Sequence, residues 1–334
     1  MTKSERISRC AAAGADWLLY DPARAEPRKA AEERMNSRVS GIRQRQRLYG
    51  QGVLAVRDGR CFYLTAQGTA AAADGMPLNI PLLEQTENIR RFYLAGRTCA
   101  VVCGDGTVKL EITQDKKNRA EVRRLEKALE PVRRWTDVRY LLVEENFIVG
   151  LCEDGRVVMA GERGGSPLPE KDVWAENAAE VADSGTGTLC LDREGRLHCI
   201  RGEDSLLLAA QRWEGTFLEA AASTQAVICV KTENLVRAKG AAGVDLSLLQ
   251  LWSEPSVSAA CQDDTVYGLS AGGTLSAVSG KSGTVRHWKN VSLLTLCGKS
   301  PAAVHRDGTC VSLSGNEDFT GADLSWIFRE NGED

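Results

Sequence analysis

The chain has 334 residues, of which 43% are apolar, 26% charged and 32 glycine. Those proportions fit one large or two ordinary globular domains and exclude disorder, collagen and coiled coil. A net charge of −3 argues against a strongly basic nucleic-acid binder, and no apolar run approaches the roughly 20 residues of a membrane helix.

The start, Met1-Thr2-Lys3-Ser4-Glu5-Arg6, is charged and leads into a short stretch of small residues, so no secretory signal is expected. Eleven cysteines, an odd number without a framework spacing, read as reduced thiols in a cytoplasm. Ile7, Cys10, Ala11, Gly14, Trp17 and Leu18 follow helical three-four spacing. Asp21-Pro22 then caps a second helix lined by Ala30, Met35, Val39 and Ile42. Residues 1–48 are therefore expected to form a helical extension, either covering the rest of the fold or docking a partner.

From residue 49 to 334 the pattern changes. Turn dipeptides between apolar runs stand at Asp58-Gly59 and Asp105-Gly106, a hairpin signal because a tight two-residue turn needs positive φ. An insertion at about 115–130 has helix-forming composition, with Val122, Leu125 and Leu129 on one face. Glu126 and Glu130 are placed to pair with Arg123 and Lys127. Lys116, Lys117, Arg123, Arg124, Arg133 and Arg134 make a candidate basic patch. Residues 1–134 carry 25 Lys/Arg against 16 Asp/Glu, or +9, and residues 135–334 carry 17 against 29, or −12. The patch reads as a solvated helix face or, alternatively, as a phosphate-backbone contact. Association of basic side to acidic side between copies is a third reading.

After the insertion tryptophan marks a repeat. Trp135, Trp174, Trp213, Trp252, Trp288 and Trp326 are 39, 39, 39, 36 and 38 residues apart. About 20 residues after each comes a turn: Asp154-Gly155, Glu194-Gly195, Glu233-Asn234, Gly272-Gly273 and Asp307-Gly308. Strand-like runs flank these turns, including Cys99–Cys103, Phe147–Cys152, Thr188–Leu191 and Ala226–Val230 before them. Val138–Val143 and Val291–Leu296 supply a further strand, and the segment leading to the next Trp a fourth. Three or four short strands per unit of about 39 residues is the size of a propeller blade. The fold class expected is all-β, a seven-bladed β-propeller, with six blades as the alternative. Leu324–Phe328 is expected to pair near Gln51–Val56. The Trp ladder and the glycines Gly59, Gly106, Gly155, Gly195, Gly273 and Gly308 are read as structural, the rings filling space between blades.

Trp135-Thr136-Asp137-Val138, Val149-Gly150-Leu151 and Asp154-Gly155-Arg156-Val157-Val158 resemble the bacterial repeat related to the regulator of chromosome condensation, whose units read W-T-D-I, V-G-L and D-G-T-V-V. Trp288–Val291 and Asp307-Gly308-Thr309 are looser copies, and the resemblance covers roughly residues 42–328. It implies a seven-bladed propeller. The eukaryotic namesake is similar to a nucleotide-exchange factor bound to chromatin, and other members to adaptors and enzyme inhibitors. The family's Gly-His-Thr segment is replaced by Glu144-Glu145-Asn146 and Ser223-Thr224-Gln225.

Little in the sequence carries chemistry. His198 adjoins Cys199, and the Glu194-Gly195 turn predicts Cys190 opposite Cys199, a pair open to zinc or to an oxidative disulfide. Four ligands at C-x-x-C spacing are missing, however, so the thiols read as buried strand residues. Asp263-Asp264 and Glu144-Glu145 are adjacent carboxylates; neighbours on a strand would point to opposite faces and make no acid–base dyad, so they read as loop charges. No phosphate-binding loop or nucleophile elbow is present. No catalytic residue, cofactor or metal is expected. The expected function is a non-catalytic propeller binding an unknown protein partner as adaptor or scaffold. The alternatives are nucleic-acid association through the basic first third and an enzyme with its site in the central channel. No membrane association is expected.

Overall fold

The structure, a computed structural model, describes residues 46–49, 52–57, 60–65, 81–95, 97–113, 119–144, 146–169, 173–201, 204–232, 235–297, 300–305 and 310–313. The expected N-terminal helices, Leu324–Phe328, Lys116, Lys117, Gly59, Gly308 and Trp326 lie outside the described residues.

Strands dominate what is described. β1 (Gln46–Tyr49), β2 (Gly52–Arg57) and β3 (Arg60–Thr65) precede a short helix, α1 (Pro81–Gln85). Next come β4 (Ile89–Ala95), β5 (Thr98–Cys103) and β6 (Val108–Ile112), then α2 (Arg119–Ala128) and a 3₁₀ helix over Glu130–Arg134. β7 (Val138–Val143), β8 (Phe147–Cys152), β9 (Val157–Arg163) and β10 (Ser166–Pro167) follow. β11 (Ala178–Asp183), β12 (Thr188–Asp192) and β13 (Leu197–Arg201) lead into α3 (Ser205–Gln211). β14 (Phe217–Ala222), β15 (Ala226–Lys231) and β16 (Val236–Gly240) lead into a 3₁₀ helix over Ser247–Leu251. The last strands are β17 (Ser256–Gln262), β18 (Thr265–Ser270), β19 (Leu275–Ser279), β20 (Thr284–Trp288), β21 (Val291–Cys297), β22 (Ser300–His305) and β23 (Cys310–Ser312).

Five sheets of three or four strands are antiparallel meanders of consecutive strands. A sixth sheet has the order β23-β22-β21-β1-β2-β3, in which β1 runs parallel to β21 with Leu48 opposite Cys297. The chain divides into two compact units. One runs through Trp174 and resumes at Thr295; the other is Ala175–Leu294. The segment expected to give a fourth strand does so only as β10 and β20. In the other described meanders it is helical, as α2 with its 3₁₀ turn, α3 and Ser247–Leu251.

The central strands explain the apolar runs. β5, β8, β12 and most of β15 are buried at every residue, on both faces, so they carry no polar alternation. In the Ala175–Leu294 unit, Leu189, Leu191, Leu207, Phe217 and Val227 form one cluster joining two meanders, with Trp213 against it. Ile228, Val230, Val244, Val266 and Val278 form another, with Trp252 against it. All five described tryptophans of the ladder are half-buried.

The glycine turns differ from the expected two-residue type. Cys103 bonds Thr107, Cys152 bonds Arg156, Asp192 bonds Arg196 and Ser270 bonds Thr274 across loops of three residues. Only the last loop residue needs positive φ, and it is Gly106 (80°), Gly155 (94°), Gly195 (80°) or Gly273 (86°). That extra residue moves the register by one. Cys190 pairs with His198, and Cys199 with Leu189. Cys190 and Cys199 therefore sit on opposite faces of the sheet, where no disulfide or shared metal can join them.

Two-residue turns do occur, at the other end of each meander. Ala95 pairs with Thr98, Gln262 with Thr265, and Ser223 bonds Ala226 across Thr224-Gln225. Asp263-Asp264 is such a turn, with Asp263 at φ 49°. A second repeated device precedes the strands. Asn88, Asp137, Asn177 and Asn290 hold positive φ immediately before β4, β7, β11 and β21.

Candidate interaction groove

The insertion and the meander after it build a surface groove. Val122 and Leu125 of α2 are buried, and Leu129 and Val132 completely so. Those residues fix α2 and its 3₁₀ turn onto the sheet. Glu130 takes Arg134 as its ion partner, at 3.1 Å, rather than the expected Lys127.

Trp135 closes the 3₁₀ helix. Its N–H bonds the Val132 carbonyl, and its backbone turns extended at φ −72°, ψ 138°. The ring then lies on Gly150 in the middle of β8. A Cβ at Gly150 would sit 3.0 Å from the ring and 2.8 Å from Val158, so only glycine leaves room for the indole. Trp252 lies in the same way on Gly268 of β18. The ladder Trp thus marks the point where a connecting turn is clamped onto a central strand.

Beside Trp135 opens a groove of about 840 Å³. One wall is the stripe of exposed Arg124, Lys127 and Arg134 with half-buried Ala128 and Pro131. The floor is β9 at Val158, Met159 and Ala160, which are buried and alternate between the two faces of the sheet, and Pro167, Leu168 and Pro169 close the far side. The outward-turned carbonyls of β9 are taken at both ends, Val157 by the Trp174 N–H and Gly161 by the Leu168 N–H. Met159 lies between them on the floor.

Four cations line the groove, Arg124, Lys127, Arg134 and Arg156, against one carboxylate, Glu162. Glu162 is buried and held by Arg124 Nε at 3.2 Å. Arg156 Nε holds Asp154 at 2.5 Å. The Arg156 N–H and guanidinium bonds keep the Asp154 carboxyl below the usual carboxylate range. With Arg134 held by Glu130, three of the four cations are already paired with a carboxylate. Cys152 also lines the groove. Burial pushes its thiol up, and it donates to the Thr136 carbonyl at 3.7 Å, so it is a packed neutral group and not a nucleophile.

The candidate basic patch is thereby split. Arg123, Arg124, Arg133 and Arg134 are all exposed, but only Arg124 and Arg134 line the groove. Lys127, Arg156, Met159 and Leu168 join them and escaped the sequence reading. A signal for the helix wall was present. Arg124, Lys127, Ala128 and Pro131 follow i, i+3, i+4, i+7 spacing, the stripe opposite Val122, Leu125 and Leu129.

Two other constellations bring titratable groups together. Asp192 accepts from Arg196 Nε at 3.1 Å and pairs with His198 Nε2 at 2.7 Å. Burial pushes Asp192 up, but the His198 and Arg196 hydrogen bonds outweigh it and leave the carboxyl below its ordinary range. Cys190 shares that face but is only 1% exposed, which denies a substrate access to its thiol. Glu180 and Glu219 are buried at equivalent positions of β11 and β14, each just after a β-bulge. Glu219 accepts from the Ser258 hydroxyl at 3.4 Å and the Ala259 N–H at 3.3 Å, which ties it to the next meander. Among the described residues no three His, Cys, Asp or Glu side chains are grouped to hold a metal. No described helix is long and apolar enough to cross a membrane.

The chain matches no known family signature and no curated protein in sequence. Its structure is similar to that of the CRINKLY WD40 ectodomain of the Arabidopsis thaliana receptor kinase ACR4. The TM-score is 0.51 at 10% identity, over 81% of this chain and 95% of that one. It is also similar to Prp20p of Saccharomyces cerevisiae, the yeast RCC1, whose crystal structure was described with its binding to Gsp1p and histones. There the TM-score is 0.50 at 14% identity, over 70% of this chain and 74% of that one. At such identities the likeness speaks to the fold alone: the chain is an all-β propeller, as the repeat implied.

Proposed function

We propose that this propeller is a non-catalytic protein-binding module of the adaptor or scaffold type. The observation that carries the reading is the groove beside Trp135, an apolar floor between a helical wall and a proline-rich loop with cations at its edge. Such a surface suits another protein better than a small reacting molecule. Prp20p, with its binding to Gsp1p and histones, gives a precedent within the fold. A nucleic-acid role draws support from exposed Arg123 and Arg133, but Arg124 and Arg134 already hold carboxylates, and among the described residues no row of aromatic rings offers base stacking. Seven blades belong to the same proposal, supported by β1–β3 and β21–β23 being separate strand-turn-strand units within one sheet. So does a cytoplasmic location, supported by the seven cysteines whose side chains are described being in no disulfide.

The test is a crosslinking pull-down from native lysate with the full chain, against beads carrying urea-denatured chain. Reproducible enrichment of one protein by the folded chain alone is the expected result. Equal recovery on both would remove the proposal.

A further inference from the structure

We infer that the outer edge of β16 takes an extended acidic segment of a partner protein as an added antiparallel fourth strand. The inference rests on the protein-binding reading and places a partner contact on the Ala175–Leu294 unit.

Register shows which backbone groups are open. The Lys231 N–H bonds the Leu235 carbonyl, and the Ala241 N–H bonds the Gln225 carbonyl. Leu235, Arg237, Lys239 and Ala241 therefore turn their N–H and C=O toward β15. Val236, Ala238 and Gly240 turn theirs away from the sheet, and among the described residues nothing donates to or accepts from them. The third strands of the other four meanders are covered. β9 and β19 carry β10 and β20 as antiparallel fourth strands. In β13 the outward Cys199 N–H is taken by Gln211 Oε1 at 2.7 Å. In β6, Val108, Leu110 and Ile112 are buried, and the Glu130–Arg134 turn packs on that strand. On β16 the row Val236, Ala238 and Gly240 is half-exposed. The place where two sibling sheets add a strand is open here.

Side chains set the chemistry of the occupant. Leu208, Leu235 and Leu251 are the large apolar side chains left exposed among the described residues, at 39%, 57% and 56%. All three belong to segments flanking β16. Leu208 is on α3, which packs against β16, Leu235 directly precedes the strand, and Leu251 ends the 3₁₀ helix that follows. Val236 and Ala238 share one cluster with Leu248 and Leu249 of that 3₁₀ helix. Arg237 and Lys239 point to the opposite face, with Leu235. Both cations are exposed, and neither makes an ion pair or a side-chain hydrogen bond among the described residues. Arg237 only lies over the Trp213 ring, 5.1 Å from its centroid.

An incoming antiparallel strand is thereby specified from its N-terminus. It offers an acid opposite Lys239, an apolar residue opposite Ala238 and an acid opposite Arg237, then apolar residues opposite Val236 and Leu235. A second copy does not fit this edge. Pairing two β16 strands about Ala238 sets Arg237 of each copy opposite Lys239 of the other, like charges across a sheet.

The experiment uses the full chain and fluorescein-labelled peptides of about nine residues built on Asp-Val-Glu-Val-Leu, read by fluorescence anisotropy. One comparison peptide carries Lys for both acids, and another places the two acids side by side. Two more carry N-methyl groups, on both Val in one and on both acids in the other. A labelled thymidine oligonucleotide is the last probe. The parent peptide is expected to bind at least about tenfold tighter than the Lys peptide, the rearranged peptide or the oligonucleotide, and to weaken as salt rises. Methylation of the two Val nitrogens, which face β16, abolishes binding, and methylation of the acids, which face away, is tolerated. Arg237→Glu with Lys239→Glu reverses the preference in favour of the Lys peptide. Arg123→Glu with Arg133→Glu makes the same change of net charge on the other unit and leaves binding unchanged. Amide exchange at Val236 and Ala238, fast in the free chain, slows at least about tenfold with the parent peptide bound. Circular dichroism and melting confirm that each variant is folded.

Equal binding of the two methylated peptides, or unchanged exchange at Val236 and Ala238, overturns the inference. Absence of binding does so too, and leaves Arg237 and Lys239 as guards of a bare edge. Tighter binding of the oligonucleotide also overturns it, as does a concentration-dependent dimer that protects those two amides, because a second copy is then the occupant. A partner captured from lysate equally by the wild type and the Arg237/Lys239 variant leaves the protein-binding reading intact and removes only the β16 assignment.

Discussion

Replacing Gly195 and Gly243 by alanine separates two roles of a turn glycine. Both residues belong to the Ala175–Leu294 unit, and their φ angles are alike, 80° and 81°. Alanine at positive φ costs about 1 kcal/mol at either site. Nothing lies within 4 Å of a Cβ at Gly243. At Gly195 the Cβ would lie 2.9 Å from the Phe217 carbonyl oxygen and 3.1 Å from its nitrogen, and it would also press on the Thr216 methyl. Two of those contacts are backbone, so β14 itself must shift. The shift also breaks or stretches the 2.8 Å bond from the Phe217 N–H to the Gly195 carbonyl, worth about 1 kcal/mol. Adding about 1–3 kcal/mol for overpacking, Gly195→Ala is expected to destabilise by about 3–5 kcal/mol, and Gly243→Ala by about 1. Urea unfolding followed by tryptophan fluorescence reads the difference, and hydrogen exchange at the Phe217 amide reads the broken bond. Losses within about 0.5 kcal/mol of each other, with Phe217 equally protected, would falsify the close-approach argument.

Other expectations follow from single contacts. Leu129 is fully buried under the helical wall, so Leu129→Ala should cost about 2–5 kcal/mol in chemical denaturation, and a loss under 1 would mean that the wall is not anchored there. Burial pushes the Asp204 carboxyl up, but donors from Thr186, Ser184 and the Leu206 and Leu207 N–H groups outweigh it and hold it below its ordinary range. Because the folded value is the lower one, the stability it confers is present above about pH 4 and disappears as pH falls through the folded value. Asp204→Ala, which removes this N-cap of α3, should therefore cost about 1 kcal/mol at pH 7 and almost nothing near pH 2, as thermal melts at the two pH values would reveal. Burial raises Tyr267 to about 12, and it raises Tyr93, whose hydroxyl accepts from the Leu141 N–H, further still. A raised phenol favours the folded state less as pH climbs above 10, so tyrosinate absorbance of these two should appear together with unfolding. Their ionisation in a still-folded chain would contradict the burial.

Much of the fold was legible because repeated constraints leave repeated residues. Trp135 and Trp252 each end a connecting 3₁₀ turn and need a glycine beneath the ring, so equal spacing of the tryptophans revealed the units. The runs Phe147–Cys152 and Ala226–Val230 declared themselves by being apolar at every position. Register was not legible. Asp-Gly serves two- and three-residue loops alike, and one added residue reverses the face on which Cys190 meets its neighbour. The positive-φ residues Asn88, Asp137, Asn177 and Asn290 were a second periodic signal, overlooked because Asn and Asp also occur in ordinary turns. The groove was hidden for another reason. Its wall, floor and far side come from residues 124–136, 152–162 and 165–169, and only the folded meander brings the stripe of α2 over β9.

The parallel pairing of β1 with β21 joins residues roughly 250 positions apart. On the ribosome, at about 5–20 residues per second, β1 emerges on the order of ten seconds or more before its partner exists. For that interval β1 presents an unpaired strand edge, open to any strand of suitable shape, including β21 of a neighbouring nascent copy. The seam between the two halves of the six-stranded sheet thus forms only late in synthesis and is a place where two copies can be exchanged. Crowded expression should yield swapped oligomers before it yields unfolded protein.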